Sequence, residues 1–443
     1  MYRRTKSPPD DANPPFFEVP ANFWETFVRL HWNKEPVVLR NPFAARIATP
    51  EELYKGMARA CDAYRRNGGA LIRRVYIENT RVMTGVDDLL PRIEDSSLAG
   101  YTRRMSAHLE GRRFGVILNQ YHRWDARHWL RVRDFLRGLF ERVGLPPGGA
   151  MTDIFFGTYE RTPFGIHKDT KHVFTWAIEG RKRVLLWPFE TLRTRYRMDP
   201  SAHAGEVGIG THDYSGIRDS AIVLEGSPGD LMYWPPSYWH IAEGVEGSSS
   251  PITLSLGLDE AGGPIRSTIS RLHEIATSVT KASGIAKSWY SFPPPASRKG
   301  MCRLPSRITA GHTAVRRLLN SEQFERESRI AWMNWISGSG FTNFPAEWEE
   351  LQPLRDDDVV RADARLPILW TVDGKTLECS VNGHGWTMQK TRDSLGALRY
   401  LERGPRGSVR ELLREVPRAS RHEFRGLLGL LHGYRWLLRH AES

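Results

Sequence analysis

His167 and Asp169 flank Lys168 in a segment that reads as a strand. Residues i and i+2 of a strand point to one face, so these two side chains can grip one ion while Lys168 turns away. A third donor, His240, comes 73 residues later (240 − 167). It follows Gly229-Asp230-Leu231-Met232-Tyr233-Trp234-Pro235-Pro236, which reads as a tight turn, a strand and a proline corner. Two histidines and one carboxylate on one face of a metal leave three coordination positions open, the pattern of non-haem Fe(II) sites. A closed four-ligand zinc site offers no such opening. His-x-Asp alone is common by chance in a chain with 15 His. His172 reads as a barrel side chain, and His203 and His212 lie in a Gly-rich loop. The setting therefore decides.

That setting is a run of short strands between Gly/Pro turns, at 153–158, 172–178, 183–187, 230–234 and 252–256. Evenly spaced strands of this kind predict a barrel or jelly roll. Ahead of them lie a helical pattern at 23–27, a strand at 35–40 closed by Asn41-Pro42, a helix at 50–66, and strands at 70–77 and 114–120. Apolar residues at 129, 132, 135, 136, 139, 140 and 143 predict a helix over 126–143, stopped by Leu145-Pro146-Pro147-Gly148-Gly149. Beyond the strands, a helix is expected near 264–282, and Pro293-Pro294-Pro295 reads as a linker. A hairpin is expected from 366–372 and 376–381 around Asp373-Gly374. Three short helices follow. Two carry capping-box sequences, Ser408 with Glu411 and Ser420 with Glu423. The last is expected to bury a stripe of Phe424, Leu427, Leu428, Leu431 and Leu438. No internal repeat is found. The expected class is α+β: a double-stranded β-helix with flanking helices over 16–262, after a disordered tail at 1–15. A helical linker or dimerisation region at 263–345 and a winged-helix-like domain at 346–443 complete it.

The 443 residues carry a net charge of +12, and a basic surface attracts acidic partners such as nucleic acid or the ribosome. Three cysteines, Cys61, Cys302 and Cys379, are too few and too scattered for a disulfide framework or a Cys-based zinc site, which fits a reducing compartment. The polar, Pro-rich start lacks the apolar core of a signal peptide, and no apolar run approaches membrane-spanning length. A cytoplasmic protein without membrane partners is expected.

The segment Phe164-Gly165-Ile166-His167-Lys168-Asp169, continuing to Val173-Phe174 and Glu179-Gly180-Arg181-Lys182, resembles the JmjC/cupin-like oxygenases. It is most similar to the ribosomal oxygenases, which hydroxylate ribosomal proteins. Gly229-Asp230 to Trp239-His240 resembles these enzymes and the asparaginyl hydroxylase of the hypoxia response, and Trp32-Asn33-Lys34-Glu35-Pro36-Val37-Val38 resembles the family's entry segment. The likeness runs from about 17 to 258. It implies catalytic iron held by His167, Asp169 and His240, with 2-oxoglutarate as co-substrate and O₂ at the open positions. It also implies that Lys182 clamps the far carboxylate of 2-oxoglutarate and that Tyr159 hydrogen-bonds it. Strand alternation places Lys182 with Val184 and Leu186, one charge on an apolar face, although Arg181-Lys182-Arg183 also fits a solvated turn. Asn119 and Ser255, polar residues on barrel strands, are candidates for co-substrate contact or for a structural role.

The implied activity is hydroxylation of a side chain in a protein or ribosomally made peptide. Other readings are a JmjC-type oxygenase acting on nucleic acid or as a demethylase, and a non-catalytic cupin-like binding module. The C-terminal module resembles both the winged helix of ribosomal oxygenases, whose helical region dimerises, and the modules that hold leader peptides in bacterial peptide tailoring. A homodimer and a polypeptide partner are therefore expected, unless the module serves only to pack.

Overall fold

The computed structural model describes residues 17–67, 71, 73–78, 80–163, 165–199, 207–209, 213–245, 251–261, 306–341, 352–362 and 368–439. The expected tail at 1–15, the helix at 264–282, the linker at Pro293-Pro294-Pro295, and His203 and His212 lie outside the described residues.

Among the described residues, the N-terminal part has five α-helices: α1 (Phe23–Leu30), α2 (Pro50–Asn67), α3 (Leu98–His108), α4 (Ala126–Val143) and α5 (Phe189–Arg195). The same described residues form thirteen strands. Those before the first metal donor are β1 (Val37–Leu39), β2 (Arg73–Ile77), β3 (Thr80–Val82), β4 (Phe114–Leu118) and β5 (Gly149–Gly157). Then come β6 (His167–Lys168), β7 (Lys171–Glu179), β8 (Lys182–Pro188) and β9 (Val207–Gly208). The last four are β10 (Ile222–Gly226), β11 (Leu231–Trp234), β12 (Tyr238–Gly244) and β13 (Ile252–Asp259). They pair antiparallel in two sheets. One has eight strands in the order β1-β11-β7-β13-β5-β4-β2-β3, and the other five in the order β10-β8-β12-β6-β9.

Each strand divides its side chains between two environments. On β7, Phe174 and Trp176 face outward under α4, while Val173 and Thr175 line a cavity. The helix α4 begins at Asp125, whose carboxylate accepts from the His128 amide, and ends at Gly144. Its apolar stripe lies on the eight-stranded sheet, with the Phe135 ring 5.7 Å from Phe174 and 4.9 Å from Trp176. The Trp24 indole of α1 donates to the Phe135 carbonyl at 2.9 Å, fixing α1 across α4. Of the expected stripe only Val143 is exposed. Each fully buried apolar side chain of this core contributes about 1.5–3 kcal/mol.

In the C-terminal part, α6 (Ser306–Leu319) and α7 (Glu322–Ser337) fall in the expected helical region. The strands are β14 (Val359–Ala362), β15 (Leu369–Asp373), β16 (Thr376–Val381), β17 (His384–Gln389), β18 (Arg406–Ser408) and β19 (Leu437–Arg439), and the helices α8 (Arg392–Leu401), α9 (Val409–Arg414) and α10 (Arg421–Gly433). The expected hairpin is present as β15–β16, turned at Gly374 with φ +57°. It continues into β17 through Asn382 (φ +49°) and Gly383 (φ +83°), a two-residue turn that needs left-handed backbone at both positions.

Two local expectations are corrected. Ser408 and Glu411 form a capping box, but the Ser420 side chain makes no cap bond and instead donates to Asp393. The second box is at Thr391 and Ser394, because a serine hydroxyl closes the reciprocal pair as a Glu would. Leu438 does not continue the stripe of α10. The helix ends at Gly433, and Leu438 lies on β19 paired with Arg361.

The two parts meet through polar and apolar contacts. Arg133 of α4 is 2% exposed, lies over the Trp129 ring and donates to the Asn382 side chain at 3.2 Å. Asn382 donates in turn to the Tyr434 carbonyl at 2.8 Å. Phe341, fully buried, joins the N-terminal core beside Ala150.

Candidate metal centre

The smaller sheet carries the histidines. His167 on β6 is the register partner of His240 on β12, which brings the ring centroids to 4.1 Å. Asp169 follows β6, and its Oδ2 lies 3.7 Å from His240 Nε2. One donor atom from each of His167, Asp169 and His240 lies within 4.8 Å of the others, so one ion can touch all three after small side-chain movements. The strand geometry expected from His-x-Asp is thus realised. Lys168, between them, points to the other side, where it is 1% exposed and lies over the Phe189 ring.

The protonation states suit a metal. His167 Nδ1 donates to the Gly165 carbonyl at 3.1 Å, a tautomer assigned from that contact, and this leaves Nε2 as a lone-pair donor. Burial first, and then the neighbouring His167, push the His240 imidazole down to about 3, so it is neutral at pH 7. Burial pushes the Asp169 carboxyl up, but His167, His240 and the nearby lysines outweigh it and hold it below the ordinary carboxylate range. The His167 and His240 imidazoles and the Asp169 carboxylate form a donor set that fits a divalent first-row metal.

The loop between β5 and β6 brings a second group into place. It runs along β12: the Thr162 amide donates to the Ala242 carbonyl at 2.8 Å, and the Gly244 amide to the Glu160 carbonyl at 2.7 Å. Tyr159 at its start packs its ring over Gly115, where a Cβ would come within 2.7 Å of the ring. Its hydroxyl accepts from Lys182 Nζ at 3.1 Å. Lys182 is 4% exposed and sits with Val184 on the cavity side, as alternation on β8 predicts. No described carboxylate pairs with its ammonium. The solvated-turn reading of this lysine is excluded by its burial.

One cavity of about 490 Å³ joins these groups. His167, Asp169 and His240 line it, as do Lys182, Asn119 and Ser255. The Ser255 hydroxyl bonds Thr175 at 2.8 Å across β13 and β7. Asn119 follows β4 beside Asp153. The Gly229-Asp230 turn ahead of His240 is a strut: Asp230, 2% exposed, accepts from Arg40 at 2.6 Å, the Asn41 amide at 3.2 Å and the Ser227 amide at 3.0 Å. His172 faces away from the cavity, bonded to Tyr233 at 2.9 Å and Glu260 at 2.8 Å. The sequence reading missed Asp153, Lys171 and Trp234 as cavity residues. Asp153 carried a signal, an acid among apolar neighbours on a strand.

Fold and site together define an antiparallel two-sheet protein with a two-histidine, one-carboxylate cluster in the cavity between the sheets. No family model matches the sequence, and no curated protein does. Among solved structures, YcfD of E. coli is similar at 16% identity, over 96% of this chain and 100% of that chain, with a TM-score of 0.48. A second YcfD structure, described as a ribosomal oxygenase from Escherichia coli, matches at 16% identity over 96% and 99%, with a TM-score of 0.46. A third, in complex with cobalt and 2-oxoglutarate, matches at 16% over 94% and 98%, with a TM-score of 0.44. No helix among the described residues is long and apolar enough to cross a membrane.

Proposed function

We propose that this chain is an Fe(II)- and 2-oxoglutarate-dependent dioxygenase that hydroxylates a side chain of a protein or ribosomally made peptide. One observation carries the reading. Lys182 is a buried cation with no carboxylate partner, in the same cavity as a three-donor metal cluster. An unpaired buried charge is costly unless a ligand completes it. A dicarboxylate that chelates the metal at one end and meets Lys182 at the other satisfies both needs. The barrel is read as a double-stranded β-helix and the C-terminal part as a winged-helix-like module that presents the polypeptide.

His167, Asp169 and His240 would hold the iron, which supplies the oxidising chemistry when O₂ and co-substrate are bound. Lys182 neutralises the far carboxylate, and the Tyr159 hydroxyl, already bonded to Lys182, orients it. The Ser255–Thr175 pair lines the larger sheet's wall. Trp234, its ring 5.1 Å from His240, would shield that side of the metal from water. No side chain is required as a general base.

Anaerobic addition of Fe(II) and 2-oxoglutarate should give a weak visible charge-transfer band that His240→Ala abolishes. Aeration with substrate peptide should release succinate. Absence of both band and succinate would remove the enzyme reading.

A further inference from the structure

Consecutive arginines on β2 turn to opposite faces of the eight-stranded sheet. Arg73 turns outward, where its guanidinium pairs with Asp87 at 2.9 Å and bonds the Tyr64 hydroxyl. Arg74 turns inward and lines the cavity of about 490 Å³. Its register partner is Ile117 on β4, which pairs with Phe155 on β5, which pairs with Thr253 on β13. All four line the cavity, so one row of side chains crosses the sheet from Thr253 to Arg74. Three strand spacings of about 4.8 Å put Arg74 about 14 Å along the sheet from Thr253. Arg74 is half-buried, and no described residue forms an ion pair or hydrogen bond with its guanidinium. Neither acid that lines the cavity, Asp153 or Asp169, pairs with it. The other two cations of the lining are engaged: Lys171 Nζ lies 3.9 Å from Asp169, and Lys182 Nζ donates to the Tyr159 hydroxyl at 3.1 Å.

We propose that Arg74 is an anion subsite that takes a carboxylate of the polypeptide substrate, carried by a residue other than the one oxidised. The inference rests on the oxygenase reading and adds a sequence requirement to it: an acidic residue or a free C-terminus near the target residue. A guanidinium drawn part-way out of water without an acceptor is costly, and a carboxylate answers it with two parallel N–H···O bonds. A substrate cation is repelled, and a neutral amide accepts without cancelling the charge. The co-substrate has its own cation in Lys182 on β8, in the other sheet, which leaves Arg74 for the substrate. At about 3.4 Å per residue, an extended chain covers the 14 Å along the sheet in about four residues. The net charge of +12 draws an acidic chain to the same surface.

The full-length protein loaded with Co(II) and saturating 2-oxoglutarate tests this. The probes are N-acetyl-glutamate α-amide, N-acetyl-glutamine with a free α-carboxyl, N-acetyl-glutamine amide and N-acetyl-lysine amide. Ligand-detected NMR titrations give the affinities, and cobalt absorbance reports the metal and its co-substrate. At least one acid should bind about tenfold more tightly than the neutral amide, the scale of one charge-assisted hydrogen bond. Which acid binds better separates an acidic side chain from a chain terminus. Arg74→Gln should abolish the preference and Arg74→Lys should keep part of it, with the cobalt spectrum and the affinity for 2-oxoglutarate unchanged in both. Equal binding of the neutral or cationic probe, an unchanged preference in Arg74→Gln, or weaker 2-oxoglutarate binding in that variant overturns the subsite alone. Failure of the wild-type protein to bind cobalt and 2-oxoglutarate overturns both the subsite and the oxygenase reading.

Discussion

Lys182 and His240 show how burial sets what a residue can do. Lys182 lies buried with only the Tyr159 hydroxyl bonded to its ammonium. Lys182→Ala should therefore raise the KM for 2-oxoglutarate by at least about tenfold, the scale of a lost charge-assisted hydrogen bond. Tyr159→Phe should raise it by about fivefold, as expected for one neutral bond; initial rates at varied 2-oxoglutarate check both. His240 has its folded pKa depressed to about 3 from an ordinary value near 6.5. Its contribution to stability is thus present above about pH 6.5 and is lost as pH falls towards 3. The Tm of metal-free protein should fall across that window, and His240→Gln should flatten the slope. The candidate metal donors, Lys182 and Tyr159 could be picked out from the sequence because strand alternation and the family likeness point at individual positions. Asp153 showed in the sequence only as an acid on an apolar strand; that its face is the cavity face follows from how β5 pairs with β13, which residue types do not encode.

Strands and turns set these distances. The sequence pattern located β5, β7, β8, β11 and β13 to within a few residues. It missed β12, although that strand carries His240, because Tyr-Trp-His-Ile-Ala-Glu-Gly is buried on both faces and does not alternate. It missed β10, an edge strand with exposed Ile222 and Val223. Ser420 has the capping-box spacing but spends its hydroxyl on Asp393, a long-range partner that spacing cannot reveal. The position of Tyr159 depends on a missing side chain at Gly115. Gly115→Ala should displace the ring and raise the KM for 2-oxoglutarate about as much as Tyr159→Phe, while circular dichroism stays unchanged.

At the scale of the molecule, the C-terminal part is tied to the N-terminal part through Arg133, Asn382 and Tyr434. Asn382→Ala leaves the buried Arg133 short of an acceptor, at a cost of about 1–3 kcal/mol. Calorimetry should then show the C-terminal transition moving to lower temperature. Neither this contact nor the insertion of Phe341 into the N-terminal core was visible in the sequence, since both join residues far apart in the chain.

His167, Asp169 and His240 are expected to bind one iron ion. Anomalous diffraction at the iron edge, from crystals grown anaerobically with Fe(II) and 2-oxoglutarate, tests it directly. One peak is expected within coordination distance of all three side chains, with 2-oxoglutarate density extending from it to Lys182. No peak at this cluster, or a peak held by other residues, would contradict it.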